Sequence, residues 1–188
     1  MGDERLILLG NEQVAAGTYL LRLHVPVDVW VRYGRVARQP IHTPPGEVVY
    51  IGSALGKRGM PLARRLLRHA CRAGGHPSQP ITDALVAYWG LPLPPKKSLK
   101  WHVDYLLQHK DVSLTHVVAV RDHVRLEPAL AAWIVDQPGF VPAAAGLGAS
   151  DAPTAAHLLY NSSSLDVWWR ALPRAIEAQF GDYLEIGD

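Results

Sequence analysis

Three short stretches in the first 53 residues are rich in β-branched and aromatic side chains: residues 18–25, 29–33 and 47–53. Near alternation of such residues with polar ones is typical of half-buried strands. The second stretch follows the first after only three residues, 26–28, so we expect these two to pair as a hairpin. The chain is therefore constrained from its start to build an antiparallel sheet.

Helical patterns begin after these strands. Pro61 occupies a position suited to a first helical turn, and residues 62–73 are predicted to form a helix that Gly74 and Gly75 end. Similar patterns predict a short helix, a strand, a helix, a short strand and a terminal helix at residues 99–109, 114–120, 126–135, 157–160 and 166–180. The order predicts an α+β fold in which a small antiparallel three-stranded sheet is flanked by helices.

The length of 188 residues suits a single domain with a real core. Five prolines interrupt residues 76–98, which we interpret as an irregular insertion. We expect the domain core at about residues 15–160 and a C-terminal extension at 161–188, made of a helix and an acidic tail. One domain spanning 1–188 is the expected organisation.

Charge is distributed unevenly along a chain whose formal net charge is only +2. Between residues 56 and 102 there are nine lysines and arginines, and Asp83 is the only acidic residue. A solvated helix face usually mixes both signs, so this excess favours a surface that faces a polyanion such as nucleic acid.

Cys71 is the only cysteine, which excludes an internal disulfide and any zinc site built from several cysteines. No apolar run approaches the roughly 20 residues of a membrane-spanning helix. We therefore expect a cytoplasmic protein with no membrane partner.

Five side chains whose functional groups could take part in catalysis occur in sequence along the chain. Tyr19 ends the string GTY at the first strand, and Tyr50 begins YIGSALG at the third. In LARRLLRH, Arg65 and His69 are four residues apart and so share one helix face. Glu127 begins a later helix. The set combines two phenols, a cation, an imidazole and a carboxylate.

Each of these residues also has an ordinary structural interpretation. The tyrosines are typical strand aromatics, and Glu127 is an acid favoured in a first helical turn. Arg64 is a rival of Arg65. In the string KWHVDYLL, His102 and Asp104 suit a structural hydrogen-bonded pair as well as a direct role.

Taken in order, these strings resemble those of the GIY-YIG nuclease superfamily, and more closely its URI-type branch of small stand-alone members. YIGSALG, LARRLLRH and KWHVDYLL each match a string of that branch, and GLGASD…HLLY (residues 146–160) is similar to its C-terminal string. The resemblance covers about residues 15–160. Thr18 departs from it, since an apolar residue is usual there. So does SDAPT at residues 150–154, where the branch often has cysteines.

The resemblance implies a metal-dependent endonuclease that hydrolyses phosphodiester bonds. Tyr19 or Tyr50 would position or deprotonate the attacking water, and Arg65 would hold the scissile phosphate. His69 would hydrogen-bond a tyrosine or assist proton transfer. Glu127 would hold one Mg²⁺ or Mn²⁺ ion. Further contacts to nucleic acid, DNA rather than RNA, are expected from Lys57, Arg58, Arg64, Arg68, Arg72, Lys100 and His102.

Two other functions remain open at this point. One is a nucleic-acid-binding module that keeps the nuclease fold without turnover. The other is a protein-interaction domain that would use Trp168 and Trp169 of the terminal helix. A nucleotide-cofactor enzyme has no support, because no glycine-rich phosphate loop follows a strand.

Overall fold

The computed structural model describes residues 4–34, 39–143 and 157–184, with side chains to residue 181. Its strands are Leu6–Gly10 (β1), Gly17–Val25 (β2), Val29–Val31 (β3), Ile41–Thr43 (β4), Gly46–Ala54 (β5), Ser113–Arg121 (β6), Val141–Pro142 (β7) and Leu158–Asn161 (β8). Its α-helices are Pro61–Ala70 (α1), Thr82–Trp89 (α2), His102–Leu107 (α3), Glu127–Val135 (α4) and Asp166–Leu184 (α5). A short 3₁₀ helix, Ala73–Gly75, follows α1.

The prediction of a small three-stranded antiparallel sheet is wrong. Six strands form one mixed sheet in the order β1-β6-β2-β5-β8-β7, in which β1 pairs with β6 in parallel and the other neighbours are antiparallel. β3 and β4 form a separate two-stranded ribbon. Both edge strands were missed, and the longer one, β1, has the sequence LILLG, which lacks the alternation that marks a half-buried strand.

The expected hairpin between residues 18–25 and 29–33 is wrong as well. β2 instead pairs along its length with β5 and β6, and β3 pairs with β4. The reason lies in burial: eight of the nine residues of β2 are buried, as a central strand requires. Trp30 is 64% exposed, so β3 suits a surface ribbon.

Helices cover both faces of the central strands. Tyr19, Leu21 and Leu23 of β2 belong to a core that includes residues of α1, α2 and α3. Leu20 belongs to the opposite core, which α4 and α5 complete. Because successive side chains point to opposite faces of a strand, those of β2 pack alternately against two helical layers.

The segment 76–98 is more regular than predicted. It contains α2, and Leu85 of that helix is fully buried in the core with α1. Pro80 and Pro92 flank the helix instead of interrupting it. The number of prolines in the segment therefore led to the prediction of an irregular insertion.

The remaining predicted elements occur close to their expected positions, including the terminal helix that begins at Asp166 and contains Pro173. No helix in the described ranges has the length and apolar character needed to cross a membrane. The GLGASD string, residues 150–154 and the end of the acidic tail lie outside the described residues.

Candidate active site

Two tyrosine rings meet at one end of the central strands. Tyr19 of β2 is paired with Gly52 of β5, and its ring centroid lies 6.3 Å from that of Tyr50. A Cβ atom at Gly52 would lie 2.6 Å from the Tyr19 hydroxyl oxygen and 2.9 Å from a ring carbon of Tyr50. Only glycine at position 52 therefore lets both rings approach this closely.

A hydrogen-bonded chain leads from Tyr19 through α1 to α3. The Tyr19 hydroxyl lies 3.0 Å from Nε2 of His69, and Nδ1 of His69 lies 3.1 Å from Oδ1 of Asp104. The other carboxylate oxygen of Asp104 accepts hydrogen bonds from the backbone N–H groups of Lys100 and Trp101. These donors hold the carboxylate in place against the histidine.

The ionisation states define the direction of these hydrogen bonds. Burial lowers the pKa of His69 below 6.5, against the opposing attraction of Asp104, so the imidazole is neutral near pH 7. Burial alone would raise the pKa of Asp104, but the hydrogen bond and charge of His69, with Lys97, hold it below its ordinary value. His69 therefore donates through Nδ1–H to an ionised Asp104, and Nε2 is left to accept from Tyr19.

Both tyrosines are protonated at neutral pH. Burial raises the pKa of Tyr19, and the positive charge of Arg65 only partly opposes this. Burial also raises the pKa of Tyr50 well above 10, with a contribution from Tyr19. A free phenolate is not the resting form of either residue, so a proton leaving Tyr19 needs the acceptor that His69 provides.

Arg65 projects from the same helix as His69 and lies flat on an indole ring. Its guanidinium carbon is 3.7 Å from the ring centroid of Trp101. That ring also meets His69 at 5.6 Å in an edge-on arrangement. None of the ion pairs formed among the described residues includes Arg65, so its charge is not neutralised. The rival Arg64 is exposed to solvent.

Glu127 begins α4 and reaches the end of β5. The hydroxyl of Ser53 donates a hydrogen bond to Oε2, and Nδ1 of the buried His157 lies 2.8 Å from Oε1. Nε of Arg125 is 3.6 Å from Oε2. Burial disfavours ionisation of Glu127, but His157 and Ser53 outweigh it and lower the pKa. Glu127 is therefore an anion near pH 7, and its charge acts on both tyrosines.

A divalent cation at Glu127 would have few protein ligands. The described residues contain no group of three or more His, Cys, Asp and Glu side chains able to surround a metal ion. A carboxylate offers about four lone-pair sites, and only Ser53 and His157 lie within hydrogen-bond distance of Glu127, so about two sites remain. One carboxylate beside the Ser53 hydroxyl fits Mg²⁺, which prefers oxygen ligands and keeps several waters.

The basic residues predicted to contact nucleic acid fall into two groups. Lys57, Arg58, Arg64 and Lys100 are exposed, and Lys100 lies over the Trp101 ring at 5.2 Å.

The second group faces inward. Arg72 donates to the backbone carbonyls of Leu107 and Val112, and Arg68 donates to that of Ser98 and to Asp104. The Arg72 guanidinium thus joins the segment after α1 to the end of α3, and a nucleic-acid contact of this residue stays a prediction. His102 packs edge-on against Tyr33.

Some residues of this site escaped sequence reasoning. Asp104 pairs with His69, whereas the sequence suggested a pair with His102 as one of two interpretations. Trp101 and Asp104 share the string WHVDYLL, so the string itself was the available signal. His157 and Ser53 gave no local signal of contact with Glu127, because they are 30 and 74 residues away from it.

The chain belongs to the family described as domain of unknown function DUF123, whose model matches residues 18–177. That range includes every side chain of the site described above. No curated protein and no solved structure matches the chain.

Proposed function

We propose that the protein is a metal-dependent endonuclease of the GIY-YIG type that hydrolyses phosphodiester bonds in DNA. One observation carries the proposal: Arg65 has no ion pair among the described residues, a neutral histidine is hydrogen-bonded to Tyr19, and the charge of an ionised glutamate acts on both tyrosines. Phosphodiester hydrolysis requires these three functions, namely phosphate binding, proton transfer and charge neutralisation.

Arg65 binds the scissile phosphate. A guanidinium offers two parallel N–H groups to two phosphate oxygens, and it stays charged at any working pH. Stacking on Trp101 restricts its side chain before substrate arrives, which lowers the entropy cost of binding. Arg64, one position earlier, binds neighbouring phosphates instead.

Tyr19 and His69 together act as the general base. The attacking water transfers a proton to the Tyr19 oxygen while the Tyr19 proton passes to Nε2 of His69. The hydroxide oxygen bonds to phosphorus as the bond to the leaving oxygen breaks. Asp104 keeps Nδ1–H directed away from Tyr19 and stabilises the imidazolium that forms. This logic resembles that of the serine hydrolase triad, with tyrosine relaying the proton.

Glu127 would hold one Mg²⁺ or Mn²⁺ ion, which would supply positive charge to the leaving oxygen and the phosphate. Ser53 and His157 fix the orientation of the carboxylate. Tyr50, beside Tyr19, excludes water from the protein side of the base and can orient the nucleophile.

The exposed cations supply contacts that do not depend on the nucleotide sequence, so the affinity for nucleic acid should fall steeply as the salt concentration rises.

The proposal also includes DNA rather than RNA as the partner, and a cytoplasmic location. A module that binds nucleic acid without cutting it is the alternative that the experiment below would reveal.

The direct test incubates the protein with labelled single-stranded, duplex and branched DNA, and with RNA, with and without Mg²⁺. We expect metal-dependent cleavage of DNA that falls at least 100-fold in Glu127→Gln and in Arg65→Ala. Glu177→Gln and Arg174→Ala are matched controls, because both residues are exposed on α5. A folded protein that binds every substrate and cuts none would overturn the proposal in favour of the binding module.

A further inference from the structure

A pocket lies against α1, the helix that carries Arg65 and His69. Its volume is about 320 Å³, and it lies between α1 and residues 91–95. Three leucines and three prolines line it together with Arg64 and Arg68. We call it the 91–95 pocket. Its volume is at the small end of the roughly 300–1,000 Å³ typical of small-ligand sites, so it suits one ring system rather than a base pair.

The 91–95 pocket is close to the phosphate that Arg65 would bind. Arg64 immediately precedes Arg65, and consecutive Cα atoms are about 3.8 Å apart. The Arg68 guanidinium carbon lies 4.9 Å from the centroid of the Trp101 ring, which also carries Arg65. Successive nucleotides of one strand rise by about 3.4 Å in a duplex. A nucleotide next to the scissile phosphate is therefore within reach of the pocket.

The charges around the pocket match an anionic chain. Arg64 is exposed, as are Lys57 and Arg58 in the loop before α1. That loop lies beside Arg64, because a Cβ atom at Gly59 would be 3.9 Å from its Nε. In the part of the chain that the structure describes, Nε of Arg68 is buried and has no hydrogen-bond partner. Buried donors are nearly always paired, so an acceptor that reached this N–H group of a pocket-lining arginine would be stabilised.

We propose that the 91–95 pocket holds one unpaired nucleobase of the strand being cut, next to the cleaved bond. This inference rests on the proposed function. The leucine and proline walls cover the apolar faces of the base, and Arg64 and Arg68 bind ring carbonyls or the adjoining phosphate. A base can enter only after leaving its partner and its stacked neighbours, which costs free energy in a duplex. Single-stranded or locally unpaired DNA is therefore the preferred substrate.

One experiment maps cleavage along a single-stranded oligonucleotide that carries one abasic site at a series of positions. We expect cleavage at the bond beside the abasic site to fall at least tenfold, while distant bonds are cut normally. In Leu93→Ala and Arg64→Ala the difference between abasic and intact positions should shrink to less than threefold. Arg64 is exposed, so its variant keeps the test valid if Leu93→Ala unfolds; Arg174→Ala should retain the full effect.

A second experiment needs no turnover. In EDTA, the dissociation constants of a DNA oligonucleotide and of an all-abasic strand of equal length are compared by fluorescence anisotropy. We expect at least tenfold tighter binding of the strand with bases, and loss of that preference in Leu93→Ala and Arg64→Ala. If binding depends on the bases but no strand is cut in Mg²⁺, the proposed nuclease activity is rejected and the proposed base-binding pocket is kept. If abasic sites do not change cleavage, and both strands bind with equal affinity, the base-binding pocket is rejected and the nuclease activity is kept. If both strands bind with equal affinity and neither is cut, both proposals are rejected.

Discussion

The side-chain oxygen of Thr18 accepts a hydrogen bond from the backbone N–H of Leu126 at 3.3 Å. Thr18 precedes the tyrosine of β2, and Leu126 precedes the glutamate of α4. This contact joins the strand that carries Tyr19 to the helix that carries Glu127. The threonine at this position, where an apolar residue is usual in the resembling nucleases, thus has a specific structural role.

Thr18→Val should leave the Leu126 N–H group buried and unpaired, which costs about 1–3 kcal/mol. We expect a lower free energy of unfolding by that amount in urea denaturation, together with a several-fold decrease in kcat as Glu127 shifts. Thr18→Ser keeps the oxygen and should recover both quantities in large part. A loss of kcat in the serine variant, with full activity in the valine variant, would show that the methyl group and not the hydrogen bond matters.

Asp104→Asn should slow cleavage by roughly 10²–10⁴-fold, the usual contribution of general acid–base catalysis. An amide nitrogen facing His69 favours the imidazole tautomer that has its proton on Nε2, which cannot accept from Tyr19. The ¹⁵N chemical shifts of His69 report the tautomer directly. Lys97 also lies 3.4 Å from Asp104, so the variant's unfolding free energy must be measured alongside.

If Asp104 serves only to stabilise the fold, the tautomer of His69 will be unchanged in Asp104→Asn, and kcat will follow the fraction of folded protein. Asp83→Asn provides the comparison, because Asp83 is exposed on α2.

Activity should be lost in acid with an inflection below pH 6.5. Burial lowers the pKa of His69 from 6.5, so the base form persists at neutral pH and disappears as pH falls through the lowered value. The same protonation places a charge in the core, so folding stability declines over the same window. The measurement is log kcat against pH from 4.5 to 8 at saturating Mg²⁺. An inflection above 6.5 would contradict the assignment of His69 as the proton acceptor.

Gly52→Ala should force the two tyrosine rings apart. The added methyl would meet the Tyr19 hydroxyl oxygen at 2.6 Å, a distance that real Cβ atoms do not tolerate. Overpacking of this kind costs about 1–3 kcal/mol. Thermal unfolding should show the loss, and a shift in the Tyr19 ring resonances should show displacement from His69. Gly90→Ala is the control, since nothing lies within 4 Å there, although its φ of +62° adds strain.

Local patterns predicted elements better than they predicted their partners. The strand β6 and the helix α4 were expected where they occur, since each has a clear apolar pattern and clear ends. The pairing of β2 with β6 brings together segments about 90 residues apart, and no local pattern specifies such a choice. The nearest candidate strand was therefore assigned to β2 in error.

The same limit applies to the site. The spacing of Arg65 and His69 placed them on one helix face, and this needed only the helical period. That Asp104 meets His69, and His102 packs against Tyr33, depends on how α3 docks against α1. The inward turn of Arg72 likewise depends on the carbonyls of Leu107, at the end of α3, and of Val112, just before β6, so a count of charges cannot give the direction of this side chain.

Helices cover β2 and β5 on both sides, and this makes strand register a determinant of chemistry. A slip of one residue in either strand would turn its side chains to the opposite helical layer. Tyr19 would then point toward α4 and α5, out of reach of its imidazole neighbour. Insertions in these two strands should abolish activity even where the inserted residue is apolar and the fold survives.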